Sequence, residues 1–169
     1  MAGHDGNRAR LALSLAAFNS GRVIELGKTD RPVLMICFGQ ETQVGIEAVE
    51  AVAREIYPSD RRLIIGHVID LHKIPSLLRK IAENVLGGEH AKAVAALPPG
   101  AAAEDYVVML PDWDGSLVSA LGLEDATKTL GLALVEPDGL VAWRYQGEAP
   151  AEAVRAELER RREEYRRSR

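Results

Sequence analysis

At 169 residues, with 47% hydrophobic and 27% charged side chains, the chain has the length and composition of one globular domain over residues 1–169. Its net charge of −4 gives no electrostatic reason to bind nucleic acid or anionic lipid. No stretch approaches the ~18 apolar residues that a membrane-spanning helix requires, so we expect no contact with a membrane.

The first half of the chain predicts alternating strands and helices. A short edge strand is expected over 22–26, and the continuous apolar run 32–38 is typical of a strand buried on both faces of a parallel sheet. A helix over 43–57, capped by Thr42, should follow it. A second buried strand is predicted over 62–69.

The segment 72–104 predicts additional helices. Pro75 is a favourable residue for the first turn of a helix, which Gly87 and Gly88 should end. A weaker helix is expected over 89–97. The apolar stripe of the first helix, which we expect to rest on the sheet, consists of Leu78, Ile81, Ala82 and Val85.

The last third of the chain predicts a hairpin and a closing helix. The hairpin strands flank the turn sequence Glu136-Pro-Asp-Gly139, and the closing helix begins at Pro150. The remaining expected elements are an extended segment at 106–110, a short helix at 116–121, and hairpin strands at 132–135 and 140–145. The order predicts an α/β sandwich, with helices on both faces of a parallel sheet that has an antiparallel edge.

Two features bear on the cellular compartment. Cys37 is the single cysteine, which excludes an intramolecular disulfide and a multi-cysteine metal site, and which suits a reducing environment. Arg8 and Arg10 precede an apolar stretch in the N-terminal extension 1–17, but this stretch is too short and mixed for a convincing signal peptide. We therefore predict a cytoplasmic protein, with no cofactor and no metal.

The C-terminal end carries many charges. Seven arginines lie between Arg155 and Arg169, with glutamates interleaved among them. This pattern is more typical of a solvated helix face than of a polyanion site. The end at 161–169 is therefore expected to be a charged helix terminus.

Three stretches, taken in order, resemble the redoxin group, which includes peroxiredoxins and bacterial thiol–disulfide proteins of thioredoxin-like fold. Asn19–Leu26 followed by Arg31–Phe38 resembles the opening strands of that group. Asp112–Leu123 is similar to its "D-x-x-G-x-x-x-x-x-L-G-V" segment, and Ala133–Gly147 is similar to its terminal hairpin. The resemblance covers most of 18–160 and implies a thioredoxin-like sandwich with a central mixed sheet, helices on both faces and an extra helical insert at 72–104.

The sequence departs from that group at the reactive positions. Redoxins place the reactive cysteine after the buried strand, at the start of the next helix, where the helix dipole lowers the thiol pKa. Here the loop Gly39–Ile46 contains no cysteine. The proline that redox-active relatives place before the hairpin strand is also missing, since Thr127–Leu132 contains none. The resemblance therefore implies the fold without the usual thiol chemistry.

Cys37 and the loop that follows it are the first candidate site. Cys37 lies among apolar residues within the predicted strand, so burial should make it unreactive; a redox-active Cys37 is the alternative. The loop residues Gln40, Glu41, Thr42 and Gln43 lie beside a predicted helix N-terminus, where they could contact an anion or a peptide. The alternative is that Thr42 caps the helix and the other three are solvated.

Acidic residues and histidines near the strand ends form a second group of candidates. Strand alternation places His67 on one face of the sheet and Asp70 with His72 on the other. A metal site there would need a third ligand, and no residue at metal-site spacing provides one. Asp112 and Asp114 are expected to make turn and helix-cap contacts.

The predicted function follows from the missing thiol. We expect a redox-inactive module of thioredoxin-like fold that binds a protein partner through the loop or the insert, where Leu77 and Leu86 lie off the predicted stripe and form a possible interface. The main alternative is a divergent thiol oxidoreductase or peroxidase that uses Cys37. A structural homo-oligomer is the third hypothesis.

Overall fold

The computed structural model describes residues 10–169. Within that range, a five-stranded mixed sheet has the order β5-β4-β3-β6-β7, and a separate antiparallel pair, β1 with β2, lies beside it. The strands are β1 (Leu13–Ala16), β2 (Val23–Leu26), β3 (Val33–Phe38), β4 (Ile64–Asp70), β5 (Met109–Asp112), β6 (Gly131–Val135) and β7 (Val141–Gln146). The helices are α1 (Ile46–Ile56), α2 (Arg79–Ala95), α3 (Ala103–Tyr106), α4 (Ser116–Ala120) and α5 (Pro150–Arg167), and a single 3-10 turn, Ser76–Leu78, precedes α2.

The central strand β3 confirms the prediction from its apolar run. It pairs in parallel with β4 and antiparallel with β6, and residues 33–37 are buried. Both of its faces are covered, because Met35 and Cys37 face one apolar cluster whereas Leu34 and Ile36 face another. A continuous apolar run is what a doubly covered strand requires.

Helices cover both faces of the sheet. Helices α1 and α5 pack on one face, where Val49, Val154 and Leu158 are buried. Helix α4 and the β1–β2 pair cover the other face through Leu117, Leu121 and further apolar residues. The predicted α/β sandwich with a central mixed sheet is therefore confirmed.

Strand β1 was not predicted. Leu13–Ala16 pairs with β2 in an antiparallel register that runs from Leu13 opposite Leu26 to Ala16 opposite Val23. Three of its four residues are exposed, so the sequence shows no buried apolar run there. Arg8, which contributed to the weak signal-peptide pattern, lies outside the described residues.

The insert differs from the prediction in its helices. One helix, α2, runs through Gly87 and Gly88 instead of ending there, and takes in most of the segment expected to form a second helix. Each glycine weakens a helix interior by about 1 kcal/mol relative to alanine, which tertiary packing on either side can offset. Here Leu86, Val94 and Leu97 provide that packing.

The hairpin and the charged terminus agree with the prediction. Gly139 has φ 88° in the turn between β6 and β7, where the Gly139 N–H donates to Glu136 O at 2.9 Å. Along α5 the arginines pair with carboxylates, as in the contacts of Arg160 with Glu157 and of Arg155 with Glu55. No described helix combines the length and the apolar character needed to cross a membrane.

Candidate functional site

The carboxyl ends of the parallel strands β3, β4 and β5 meet at one edge of the sheet. The loop that begins at Gly39 leaves β3 there, Asp70 ends β4, and Asp112 ends β5 directly opposite Asp70. Binding residues in open α/β sheets concentrate at this kind of edge, because each strand delivers a loop to it. The two predicted candidate groups, the loop after β3 and the acidic residues at the ends of β4 and β5, therefore lie at the same edge of the sheet.

Cys37 lies one residue inside this edge. Its side chain is 0% exposed, and its neighbours in the sheet are Val68 on β4 and Gly131 on β6. Burial raises the pKa of the Cys37 thiol above its usual range, and the carboxylates of Asp112 and Asp70 raise it further. The predicted burial is thus confirmed, and the thiol is held in its neutral, weakly nucleophilic form.

The loop after β3 is fastened to the loop that precedes β6. The Gly39 N–H donates to Thr42 Oγ1 at 2.8 Å, and the Thr42 hydroxyl donates to Ala126 O at 2.6 Å. A Cβ at Gly39 would lie 2.9 Å from Thr127 Cα, so only glycine allows this close approach. Together these contacts hold the loop after β3 against the loop before β6.

Thr42 does not cap α1, which corrects the predicted start of that helix. The helix begins at Ile46, and Gly45, with φ 99°, occupies its N-cap without a side-chain hydrogen bond. Thr42 instead bonds across to the loop before β6, because its hydroxyl is within reach of the Ala126 carbonyl. The side chains of Gln40, Glu41 and Gln43 are exposed.

Asp70, His72 and Asp125 come together beside this loop. His72 Nδ1 lies 2.6 Å from Asp70 Oδ1, and Lys73 Nζ lies 3.2 Å from Asp125 Oδ2. The Thr127 side chain donates to Asp125 and, with Thr127 N–H and Lys73, lowers the pKa of Asp125 to about 2, so Asp125 is ionised. Sequence reasoning missed Asp125, because it is far from His72 along the chain and lies in a loop.

Asp112 confirms its predicted capping role. Its carboxylate accepts from the Leu117 and Val118 N–H groups at 3.2 and 2.9 Å, at the start of α4. Burial raises the pKa of Asp112, and the nearby Asp70 charge adds to this, although the two N–H donors act in the opposite direction. Asp114 similarly accepts from the Ser116 N–H at 3.0 Å.

His67 is separate from this cluster. As strand alternation predicts, it lies on the other face of β4, where Nε2 contacts Glu50 of α1 at 2.6 Å. Its ring also packs edge to face against Phe38. The two histidines therefore do not share a site.

Helix α2 turns its apolar stripe outward, contrary to the prediction. Leu77, just ahead of the helix, is 92% exposed, Ile81 is 60% exposed and Val85 is 59% exposed, whereas Leu86 is buried. Leu86 packs with Ile69 and other apolar residues next to the edge strand β5, so its predicted exposure at an interface is wrong. We call the exposed residues Leu77, Leu78, Ile81 and Val85 the α2 apolar face.

The architecture is similar to that of several solved structures, among them a thioredoxin. The sequence matches no protein-family model and no curated protein. An exposed lipoprotein thioredoxin from Streptococcus pneumoniae superposes with a TM-score of 0.58 at 12% identity, covering 88% of this chain and 98% of that one. The fold is thioredoxin-like. StoA from Bacillus subtilis gives a TM-score of 0.56 at 10% identity, covering 89% and 98%.

A third structure of this fold supports the same conclusion. A secreted disulfide oxidoreductase from Mycobacterium tuberculosis has a TM-score of 0.52 at 7% identity, covering 87% of this chain and 94% of that one. The superpositions establish the thioredoxin-like fold, whereas sequence identities this low leave the activity open. In this chain, the loop over 39–46 at the candidate edge carries no thiol, and the single cysteine is buried within β3.

Proposed function

We propose that this thioredoxin-like chain is redox-inactive and acts as a protein-binding module. The observation that supports the proposal most directly is the position of Cys37, which is fully buried on the central strand while the loop after it has no cysteine. Thiol–disulfide exchange requires a thiolate that a substrate sulfur can reach. A cytoplasmic location, predicted from the single cysteine, remains part of this proposal.

The alternative, a divergent oxidoreductase or peroxidase that uses Cys37, has a specific structural obstacle. Cys37 packs in the apolar cluster that contains Ala126, so exposing the thiol would require that cluster to open, although the Thr42 hydroxyl also bonds to the Ala126 carbonyl. The thiol would then have to ionise beside the carboxylates of Asp112 and Asp70, which raise its pKa. Both requirements weigh against this alternative.

The α2 apolar face is the surface that we assign to partner binding. Leu78, Ile81 and Val85 repeat at the spacing of a helix–helix seam. Gly88 continues the row, with open space where a Cβ would stand, which allows another backbone to approach. Contiguous exposed apolar residues on a soluble domain commonly mark an interaction site. We propose an amphipathic helix of a partner protein as the occupant.

Helix α2, which presents this face, packs on the rest of the domain through its other side. Leu86 and Leu97 pack with Met109 on the edge strand side, and the Arg79 guanidinium stacks 4.3 Å over the Trp113 ring. Leu86 is the only buried residue of the helix itself, so its outer surface remains available to a partner. A second copy of the chain could use the same face, which is the structural homo-oligomer hypothesis.

Insulin reduction tests the redox part of the proposal. With dithiothreitol as the reductant, the wild-type chain should give no turnover above the dithiothreitol background. Turnover that disappears in Cys37→Ser would overturn redox inactivity and favour the alternative. A redox-active thioredoxin in the same assay serves as the positive control.

A set of charge substitutions tests the binding part. The triple variant Leu77→Glu, Ile81→Glu and Val85→Glu should keep its thermal midpoint, because all three side chains are already in solvent. A photoreactive residue at position 81 should crosslink in cells to a discrete partner, and the flanking substitutions should abolish that product. Tyr165 on α5, which is exposed but outside the face, is the matched control position.

The outcomes separate the hypotheses. A crosslink to a second copy, together with sedimentation of a dimer that the triple variant loses, would favour the homo-oligomer. Equal amounts of the same crosslinked products from positions 81 and 165 would show that partners do not bind specifically at the α2 apolar face. A monomer that forms no crosslinked product from position 81 would refute binding at the α2 apolar face.

A further inference from the structure

We propose that Asp70, His72 and Asp125 form a binding site for a divalent transition-metal cation, with Zn²⁺ as the representative ion. The site lies at the edge where β4 ends, and Asp125 belongs to the loop that precedes β6. The site is independent of the α2 apolar face, and its third ligand, Asp125, is the one that the sequence did not reveal.

The three residues already stand at near-ligating separations. Each offers one ligand atom, and these atoms lie within 4.8 Å of one another. A tetrahedral Zn²⁺ with bonds of about 2.0–2.2 Å holds its ligand atoms about 3.4 Å apart. Small side-chain rotations therefore bring the imidazole nitrogen and the two carboxylate oxygens into coordination.

Asp70 provides an independent reason for a cation. Its side chain is 1% exposed, and both hydrogen bonds that the described chain gives it come from His72, within the proposed site. Among the described residues no lysine or arginine pairs with Asp70, so His72 is the only group that can offset the charge of this buried carboxylate. Asp112 adds to the cost of burying the Asp70 carboxylate, because it lies directly opposite Asp70 on β5. The N–H groups that donate to Asp112 come from the start of α4.

The surroundings are open to solvent and acidic. Asp70, His72 and Asp125 line a cavity of about 250 Å³, along with Asp114 and Glu124. Such a lining attracts cations and leaves room for a water molecule as a further ligand. The site is thus accessible from solvent even though its innermost carboxylate is buried.

In the metal-free chain, two contacts occupy the places that a cation would take. His72 Nδ1 is hydrogen-bonded to Asp70 Oδ1, and the Lys73 ammonium pairs with Asp125. Lys73 is half exposed, so it can turn into solvent when a cation arrives.

The donor set indicates the class of metal. One imidazole nitrogen with two carboxylate oxygens suits Zn²⁺ or Mn²⁺, whereas Mg²⁺ and Ca²⁺ prefer oxygen ligands alone. Three protein ligands leave at least one coordination position for water or a bound molecule.

Calorimetric titration of the untagged full-length chain with ZnCl₂ tests the proposal. We expect one ion per chain, and no heat from MgCl₂ at the same concentration. His72→Gln and Asp125→Asn should each weaken binding at least about tenfold, as loss of a ligand does. Lys73→Gln should strengthen binding severalfold, because it removes the competing ammonium.

Two control variants separate coordination from general attraction. Asp114→Asn and Glu124→Gln remove one negative charge from the same cavity without removing a proposed ligand, so affinity should change less than about threefold. Circular dichroism verifies that each variant is folded; Asp70 is left unchanged because it is buried. Wild-type chain that binds no Zn²⁺, binding that survives both ligand substitutions, or equal weakening by the controls would each refute the site.

Discussion

Native Cys37 is expected to resist alkylation by iodoacetamide, because its side chain is 0% exposed and its strand is paired on both sides. Reaction requires opening of the sheet or of the apolar cluster around Cys37, which includes Leu123 and Ala126. If this opening costs at least about 5 kcal/mol, the open fraction is below about one in a thousand, so alkylation should slow by at least about a thousandfold. The raised pKa of the thiol slows it further.

The assay compares two rates on the same chain. Incorporation of iodoacetamide is followed by mass spectrometry at neutral pH, first in buffer and then in urea above the unfolding transition. The unfolded chain supplies the intrinsic rate of an exposed thiol. A native rate within about tenfold of the unfolded rate would refute the burial on which redox inactivity rests.

Four further predictions concern the same edge of the sheet. Cys37→Ala should lower the free energy of unfolding by about 1 kcal/mol and Cys37→Asp by several, measured by urea denaturation. Asp112→Ala should cost about 1–3 kcal/mol in the same experiment, because it leaves two N–H groups of α4 without their acceptor. In the folded chain the pKa of Asp125 is lowered to about 2. Ionised Asp125 therefore stabilises the fold at pH values above the pKa that it has in the unfolded chain. This stabilisation should be lost as the pH falls from about 4 towards 2. Thr127→Ala should raise the pKa of Asp125 in an NMR titration; an unchanged value would show that this hydrogen bond has no effect.

Local patterns in the sequence determined most of the sheet. The run 32–38 predicted a strand covered on both faces, and β3 is that strand, with Cys37 buried in it. Gly139 predicted the turn of the hairpin, because a positive φ is least costly for glycine. These features depend on residues close together in the sequence, where periodicity and turn chemistry carry the information.

The orientation of α2 was decided by the tertiary structure. The pattern Leu78, Ile81 and Val85 identified an apolar stripe, but the helix packs through Leu86 and leaves that stripe in solvent. Helical periodicity states which residues share a face, and does not state which face the rest of the chain covers. The helix lies beside the edge strand β5, where the covering surface is small.

The candidate metal site depended on the tertiary structure for its third ligand. Asp70 and His72 are neighbours in sequence and were placed on one face by strand alternation, whereas Asp125 lies in a distant loop. Only the parallel pairing of β4 with β3, together with the antiparallel pairing of β3 with β6, brings that loop to the end of β4. Proximity of this kind comes from long-range strand pairing, so no local spacing in the sequence encodes it.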